Sequence, residues 1–228
     1  LWIDSIAEKI NWDKFVKILK NERPDIFAFE TKTPVIKQHW KIINILKERF
    51  PEMRIVIMGD HVTSFPKETM KNSKVDFVLT GGDYDFLLKD LINALEKNKK
   101  LPKGIYYKEK NRIKNTGKFQ LKNKLDEVPF IDRELMKWRF YEKEYNISRK
   151  PYFYIMSGRD CWWGKCKFCA WPRLYQCFRV RGVENVLDEV GMLIEKYGAK
   201  EIFDDSGTLM IGKWLRNLCH RLIKRGYN

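Results

Sequence analysis

The sequence predicts an α/β chain in two parts. A partial doubly wound, Rossmann-like domain covers 1–100, and a second β/α run opens a larger barrel or sheet over 151–228. Three observations lead there. Short apolar runs alternate with amphipathic helical stretches through the first hundred residues. A charged hairpin and connector interrupt the pattern over 101–150. A new strand–helix–strand–helix run then begins at Tyr152.

In chain order, Asn11 is placed to cap a helix whose Phe15, Ile18 and Leu19 share a stripe. Pro24-Asp25 introduces Ile26-Phe27-Ala28-Phe29, an apolar run of the kind buried in a parallel sheet. A helix after Pro34 turns Ile36, Trp40, Ile43 and Leu46 inward and ends before Pro51. Ile55-Val56-Ile57-Met58 reads as the next strand, Val75 to Thr80 as another, and Phe86 to Leu95 as a helix. Gly104 to Asn115 reads as a hairpin. Residues 117–150 read as an ordered connector with an isolated Leu125-Asp126-Glu127-Val128-Pro129 segment. Tyr152 to Met156 is a strand, Glu184 to Tyr197 a helix, Glu201 to Phe203 a strand closing at Asp204-Asp205, and a last helix begins near Lys213. A β/α run of this length is only part of a barrel, so the chain reads as truncated at both ends.

Hydrophobic residues make up 44% of the chain and aromatics 14%, enough for a sizeable core. No stretch approaches the length of an apolar membrane span and no signal peptide is evident, so a cytoplasmic protein is expected. The net charge of +15 invites a nucleic-acid reading. The basic residues, however, are dispersed at helical intervals, as in Lys14, Lys17, Lys20 and Lys47-Glu48-Arg49. Solvated helix faces explain most of them.

Five cysteines, four of them between Cys161 and Cys177, point to metal or redox chemistry. Cys161-Trp-Trp-Gly-Lys-Cys166-Lys-Phe-Cys169 follows directly on a predicted strand. Three thiolates on one short loop suit a four-iron, four-sulfide cluster with one iron left open. Gly164 allows a tight loop, Lys165, Lys167 and Arg173 place positive charge beside it, and Phe168 is placed to pack an adenine ring. The competing reading is a structural zinc site with Cys177 as fourth ligand, which would make the chain a zinc-stabilised, basic nucleic-acid-binding module. Against it, Cys177 lies eight residues beyond Cys169 without a close cysteine partner. Cys177 and Cys219 read instead as core residues.

From these residues the resemblance follows. The cysteine loop resembles the CxxxCxxC signature of the radical S-adenosylmethionine superfamily, with four residues rather than three between Cys161 and Cys166. Its Cys-Trp-Trp-Gly form is similar to that of a subgroup with a cobalamin-binding-type N-terminal domain. Arg179-Val-Arg181, Asn185-Val186-Leu187-Asp188-Glu189-Val190 and Phe203-Asp204-Asp205 match further. In the first half, Ile57-Met58-Gly59-Asp60-His61-Val62-Thr63 is similar to the subgroup's Gly-Gly-Pro-His turn. Val75-Asp76-Phe77-Val78 with Gly81-Gly82-Asp83 resembles its Gly-Glu-Gly-Glu stretch, and Leu125–Pro129 its connector.

The resemblance implies a partial radical S-adenosylmethionine (β/α) barrel over 151–228. It implies an iron–sulfur cluster on Cys161, Cys166 and Cys169, reductive cleavage of S-adenosylmethionine to a 5′-deoxyadenosyl radical, and an electron donor such as ferredoxin or flavodoxin. Phe168, Arg181, Asp204 and Asp205 become candidate contacts to S-adenosylmethionine or substrate, at the strand ends where such barrels work. Asp204 and Asp205 read equally well as a cap or loop hydrogen bond. The substrate, a small molecule or peptide, is not legible. If cobalamin binds, the implied chemistry is methyl or alkyl transfer to an unactivated carbon; if not, another hydrogen abstraction. Met58 stands where the subgroup has glycine and Glu30 where it has Ser or Thr, and both crowd the path of the cobalamin tail. His61 reads as a structural turn residue rather than a cobalt ligand.

Overall fold

A computed structural model describes every residue except 111, 144–148, 176 and 228, and the side chains of Glu142, Lys143, Pro172 and Arg173 lie outside the described set. Packing groups Ile18–Asn123 and Arg173–Gln176 into one compact unit. Leu1–Lys17, Lys124–Pro172 and Cys177–Asn228 form the other. No helix among the described residues is long and apolar enough to cross a membrane.

The helix α1 (Trp12–Glu22) begins where Asn11 accepts the Lys14 amide at 3.0 Å, the expected N-cap. In the first unit, β1 (Ile26–Glu30), β2 (Arg54–Met58) and β3 (Phe77–Leu79) run parallel in sequence order. The helix α2 (Ile36–Arg49) joins the first two, and buries Ile36, Trp40, Ile43 and Leu46 as its apolar spacing requires. Two short helices missed in the sequence, α3 (Asp60–Ser64) and α4 (Pro66–Asn72), lead from β2 to β3. Along β2 the side chains alternate. Val56 and Met58 join Leu79, Ile105 and, from α5 (Tyr84–Glu96), Leu91 in one core, leaving the fully buried Ile55 and Ile57 for the opposite face.

The third strand is shorter than its apolar run suggests. Just ahead of it the Asp76 amide donates to the Ile55 carbonyl at 3.1 Å, while the Asp76 carboxylate accepts the Ile55 amide at 2.7 Å and pairs with Lys47 at 3.2 Å. The hairpin of β4 (Ile105–Glu109) and β5 (Arg112–Asn115) forms as read and adds antiparallel to β3, completing a five-stranded sheet.

In the second unit, β6 (Tyr152–Ile155) and β9 (Glu201–Asp204) pair in parallel, register Tyr152↔Glu201 to Ile155↔Asp204. They are joined through the helix α7 (Val183–Tyr197), whose Val186, Val190 and Leu193 pack on Phe153 and Ile155. A two-residue antiparallel ribbon, β7 (Gly158–Arg159) with β8 (Arg179–Val180), stands just after β6, and the short α6 (Trp171–Leu174) lies between its strands in sequence. The connector segment docks through Leu125, which is buried, and through Asp126, which accepts the amide of Gly182 at 2.8 Å ahead of α7. The last helix, α8 (Lys213–Lys224), is tied to α7 by Arg221 on Glu184, by Arg225 on Glu184 at 2.7 Å and by Arg225 on Asp188 at 3.0 Å.

Candidate metal centre

The ribbon β7–β8 pins the base of the segment carrying the cysteines: Gly158 faces Val180 and Arg159 faces Arg179. Asp160 then takes a left-handed φ of 74° while buried, and pairs with Arg179 at 3.3 Å. A non-glycine residue held there needs such support. Cys161, Cys166 and Cys169 follow, all half-buried, with the Cys169 amide on the Cys166 carbonyl at 3.3 Å. Gly164 turns the loop at φ 58°, a conformation that favours glycine. Backbone N–H groups of Gly164 and Trp163 are directed at Cys161 and hold its thiol below the usual range. Thiols on a turn of converging amides are the donor set that an iron–sulfur cluster requires. Among the described residues no three His, Cys, Asp or Glu side chains converge on a common point, so the structure puts the cysteines on one loop without closing them into one cage.

Around the loop, Trp162 and Trp163 meet edge to face at 6.0 Å, Trp162 Nε1 donates to the Leu209 carbonyl at 3.2 Å, and Lys165 Nζ lies 5.3 Å from the Trp163 ring centre. Phe168 is 93% exposed, a ring held out to solvent. The Arg173 side chain falls outside the described set. Cys177 and Cys219, expected in the core, are both exposed; α8 buries none of its residues, which leaves Cys219 at the surface.

Asp204, at the end of β9, accepts the Ser157 amide and the Ser206 amide at 3.1 Å each, and the hydroxyls of both serines. Its carboxylate thereby ties the end of β6 to the end of β9, and Ser206 Oγ in turn accepts the Gly158 amide at 2.8 Å. Asp205 donates its amide to the Ile155 carbonyl at 2.9 Å and leaves its side chain exposed. Arg181 is buried. Its guanidinium donates to Asn185 Oδ1 at 2.6 Å, to the Met156 carbonyl at 3.2 Å, to the Asn185 carbonyl at 3.1 Å and to Glu189 at 2.5 Å. Glu189 also takes Arg133 at 3.4 Å, and Arg133 donates to the Tyr154 carbonyl at 2.6 Å. The Arg133–Glu189–Arg181 set therefore grips the backbone at Tyr154 and Met156, just ahead of the cysteine loop. Of these, Arg133, Ser157 and Ser206 were not singled out in the sequence. No local signal marks them, except that Ser157 is the first polar residue after an apolar strand.

At the carboxyl ends of β1 to β3 the first unit holds a second polar set. Glu30 pairs with Lys32 at 2.9 Å, and Lys32 with Asp60 at 3.3 Å. The Tyr84 hydroxyl lies in the field of Glu30, and the Tyr175 hydroxyl donates to Asp60. Met58, expected to crowd this crevice, packs into the hydrophobic core instead, so the crowding falls to Glu30 and its partners. His61 is buried as a structural residue. Its Nδ1 lies 3.2 Å from Thr33 Oγ1 and its Nε2 3.3 Å from Glu68, with the ring against Trp40 and Phe65.

The parallel three-stranded α/β sheet extended by a hairpin, followed by a βαβ unit with a cysteine loop after its first strand, is similar in fold to solved radical S-adenosylmethionine enzymes. TsrM, a radical S-adenosylmethionine methyltransferase from Kitasatospora setae solved with cobalamin and a [4Fe-4S] cluster, superposes with a TM-score of 0.71 at 14% identity, over 98% of this chain and 45% of its own. In sequence the chain is similar to an uncharacterized methyltransferase of Pyrococcus horikoshii, 29% identical over 212 residues, 91% of this chain and 45% of the relative. It is also similar to the anaerobic magnesium-protoporphyrin IX monomethyl ester cyclase of Rubrivivax gelatinosus, 22% identical over 236 residues, 99% of this chain and 41% of the relative. The chain thus spans less than half the length of the relatives it matches. No protein-family model matches it.

Proposed function

We propose that this chain is the part of a radical S-adenosylmethionine enzyme that holds the cluster. The observation that carries the reading is the loop of Cys161, Cys166 and Cys169, set at the carboxyl end of β6 and pinned by the β7–β8 ribbon. A four-iron, four-sulfide cluster on these thiolates would leave one iron open to the amine and carboxylate of S-adenosylmethionine and would supply the electron that breaks its carbon–sulfur bond to give the 5′-deoxyadenosyl radical.

The chain's own residues do the rest. Lys165 and Lys167 place positive charge beside a net-negative group. Phe168 offers an exposed ring to an adenine, and Asp205 an exposed carboxylate to a ribose or substrate hydroxyl. Asp204 and Arg181 act one step back, by fixing the strand ends and the loop base. The electron arrives from a small redox protein such as ferredoxin or flavodoxin.

The methyltransferase names among the relatives support methyl or alkyl transfer to an unactivated carbon as the outcome, with cobalamin as methyl carrier. Hydrogen abstraction without a second cofactor is the other outcome, favoured by the filled polar crevice of the first unit. Anaerobic purification decides the main reading. Expected are a brown protein with about four irons per chain, and 5′-deoxyadenosine formed from S-adenosylmethionine under a strong reductant. One tightly held zinc and no cleavage would establish the zinc module instead.

A further inference from the structure

We propose that the crevice at the carboxyl ends of β1, β2 and β3 is closed by the chain's own side chains and takes no corrin. The inference does not depend on the cluster reading, because it rests on residues of the first unit. In open α/β sheets a ligand enters at these strand ends, and glycines there let it approach the backbone. Here the space over the glycines is taken. A Cβ at Gly82 would stand 2.7 Å from the Tyr175 ring, and one at Gly81 2.5 Å from the Phe119 ring. At Gly59, with φ 117°, it would stand 2.3 Å from the Thr31 carbonyl oxygen and 3.1 Å from Glu30 Cγ, so the turn itself is packed shut.

The polar groups at the rim are satisfied by one another. Two carboxylates, Glu30 and Asp60, share the Lys32 ammonium between them; Asp60 also takes the Tyr175 hydroxyl, and the Tyr84 hydroxyl lies in the field of Glu30. An incoming ligand would have to replace these bonds or leave a carboxylate without its donors. Burial and the adjacent carboxylates push the Tyr84 hydroxyl up to about 12 and the Tyr175 hydroxyl higher still, in keeping with phenols that stay protonated as donors. An open space of about 310 Å³ remains beside the end of β3, lined in part by Thr80, Gly81, Asp83, Phe119 and Asn123 and by none of Glu30, Asp60, Tyr84 or Tyr175. It lies at the small end of ligand cavities and is short of a corrin.

The test is corrin retention. The anaerobically purified, cluster-reconstituted protein is incubated with hydroxocobalamin, desalted, and scanned for corrin absorbance beside a Glu30→Ser/Tyr175→Ala variant checked for folding by circular dichroism. Expected is far less than an equivalent of corrin on the wild-type protein and several-fold more on the cleared variant. A full equivalent on the wild type overturns the proposal, and so does a folded variant that retains no more than wild type. Formation of 5′-deoxyadenosine by the same samples reads the cluster separately. Its loss with corrin still excluded would sink the proposed radical function and leave the closed crevice standing.

Discussion

Both units place polar and reactive residues at the carboxyl ends of parallel strands, and they finish those ends in opposite ways. In the first unit Glu30, Lys32, Asp60, Tyr84 and Tyr175 satisfy one another, and aromatic rings fill the space over Gly81 and Gly82. In the second, the buried charges Arg133, Glu189 and Arg181 and the half-buried Asp204 are spent on gripping the backbone, and beyond them the three cysteines are half-buried and the Phe168 ring is exposed. The same topological position is thus closed by side chains in one case and held open by a scaffold in the other. Position on a sheet nominates a site; the bonding state of its polar groups decides whether it is free to act.

The largest expected effect sharpens the open side. Cys161→Ala, Cys166→Ala or Cys169→Ala should each abolish S-adenosylmethionine cleavage and strip most of the iron, with little change in the melting curve, since all three cysteines are only half-buried. Iron content and absorbance near the cluster band check it, and full iron on any single variant would break the assignment. Next, Glu189→Ala should cost roughly 3–5 kcal/mol in urea unfolding, because it strands two buried arginines. Lys74→Ala, which breaks the exposed Lys74–Glu48 pair of the first unit, should cost only about 0–1 kcal/mol. Equal losses would show that the scaffold is not the special element. Asp204→Asn should cost about 1–3 kcal/mol and lower the iron retained, since the amide cannot accept all four bonds that tie β6 to β9.

The smallest effect sits on the closed side, at high pH. Tyr84 titrates at about 12 in the folded chain, against roughly 10 when unfolded. Its contribution is therefore complete below about pH 10 and is lost as pH rises toward 12, by up to about 1.4 kcal/mol per pH unit. Tyr84→Phe should make the alkaline fall in stability shallower, read by denaturant unfolding from neutral to alkaline pH. An unchanged slope would mean that burial and the charge of Glu30 do not raise the Tyr84 hydroxyl.

Elements with a clear period were legible. The stripe of Ile36, Trp40, Ile43 and Leu46 and the apolar run of β2 write their burial into their spacing, whereas the equally apolar run of β1 forms its strand but stays only half-buried. The cysteine loop was legible because thiols concentrated in nine residues have few other uses. Less was legible where the outcome depends on a distant partner. Met58 looked like an obstacle because its neighbours in sequence border the crevice, but alternation along β2 sends it into the core. The third strand starts at Phe77, later than its apolar run, and nothing local in the sequence shows that the Asp76 carboxylate reaches the Ile55 amide and Lys47. Arg181 reads as a ligand contact in a motif, and only the fold shows its guanidinium taken up by Met156, Asn185 and Glu189. Tyr175, six residues past Cys169, carries no local sign that its hydroxyl belongs to Asp60.

The Arg133–Glu189–Arg181 set also bears on how the second unit assembles. Glu189 meets Arg181 eight residues away, a contact that α7 supplies almost as soon as it forms, but Arg133 lies 56 residues away and closes a long loop. Until the connector docks, the carboxylate faces the strand end half-compensated. The long-range partner therefore arrives late and its entropy of closure falls on a single step. Folding of the β6 end and docking of the connector become one cooperative event. In hydrogen exchange, the amides of β6 and of α7 around Glu189 should open together and not as separate elements.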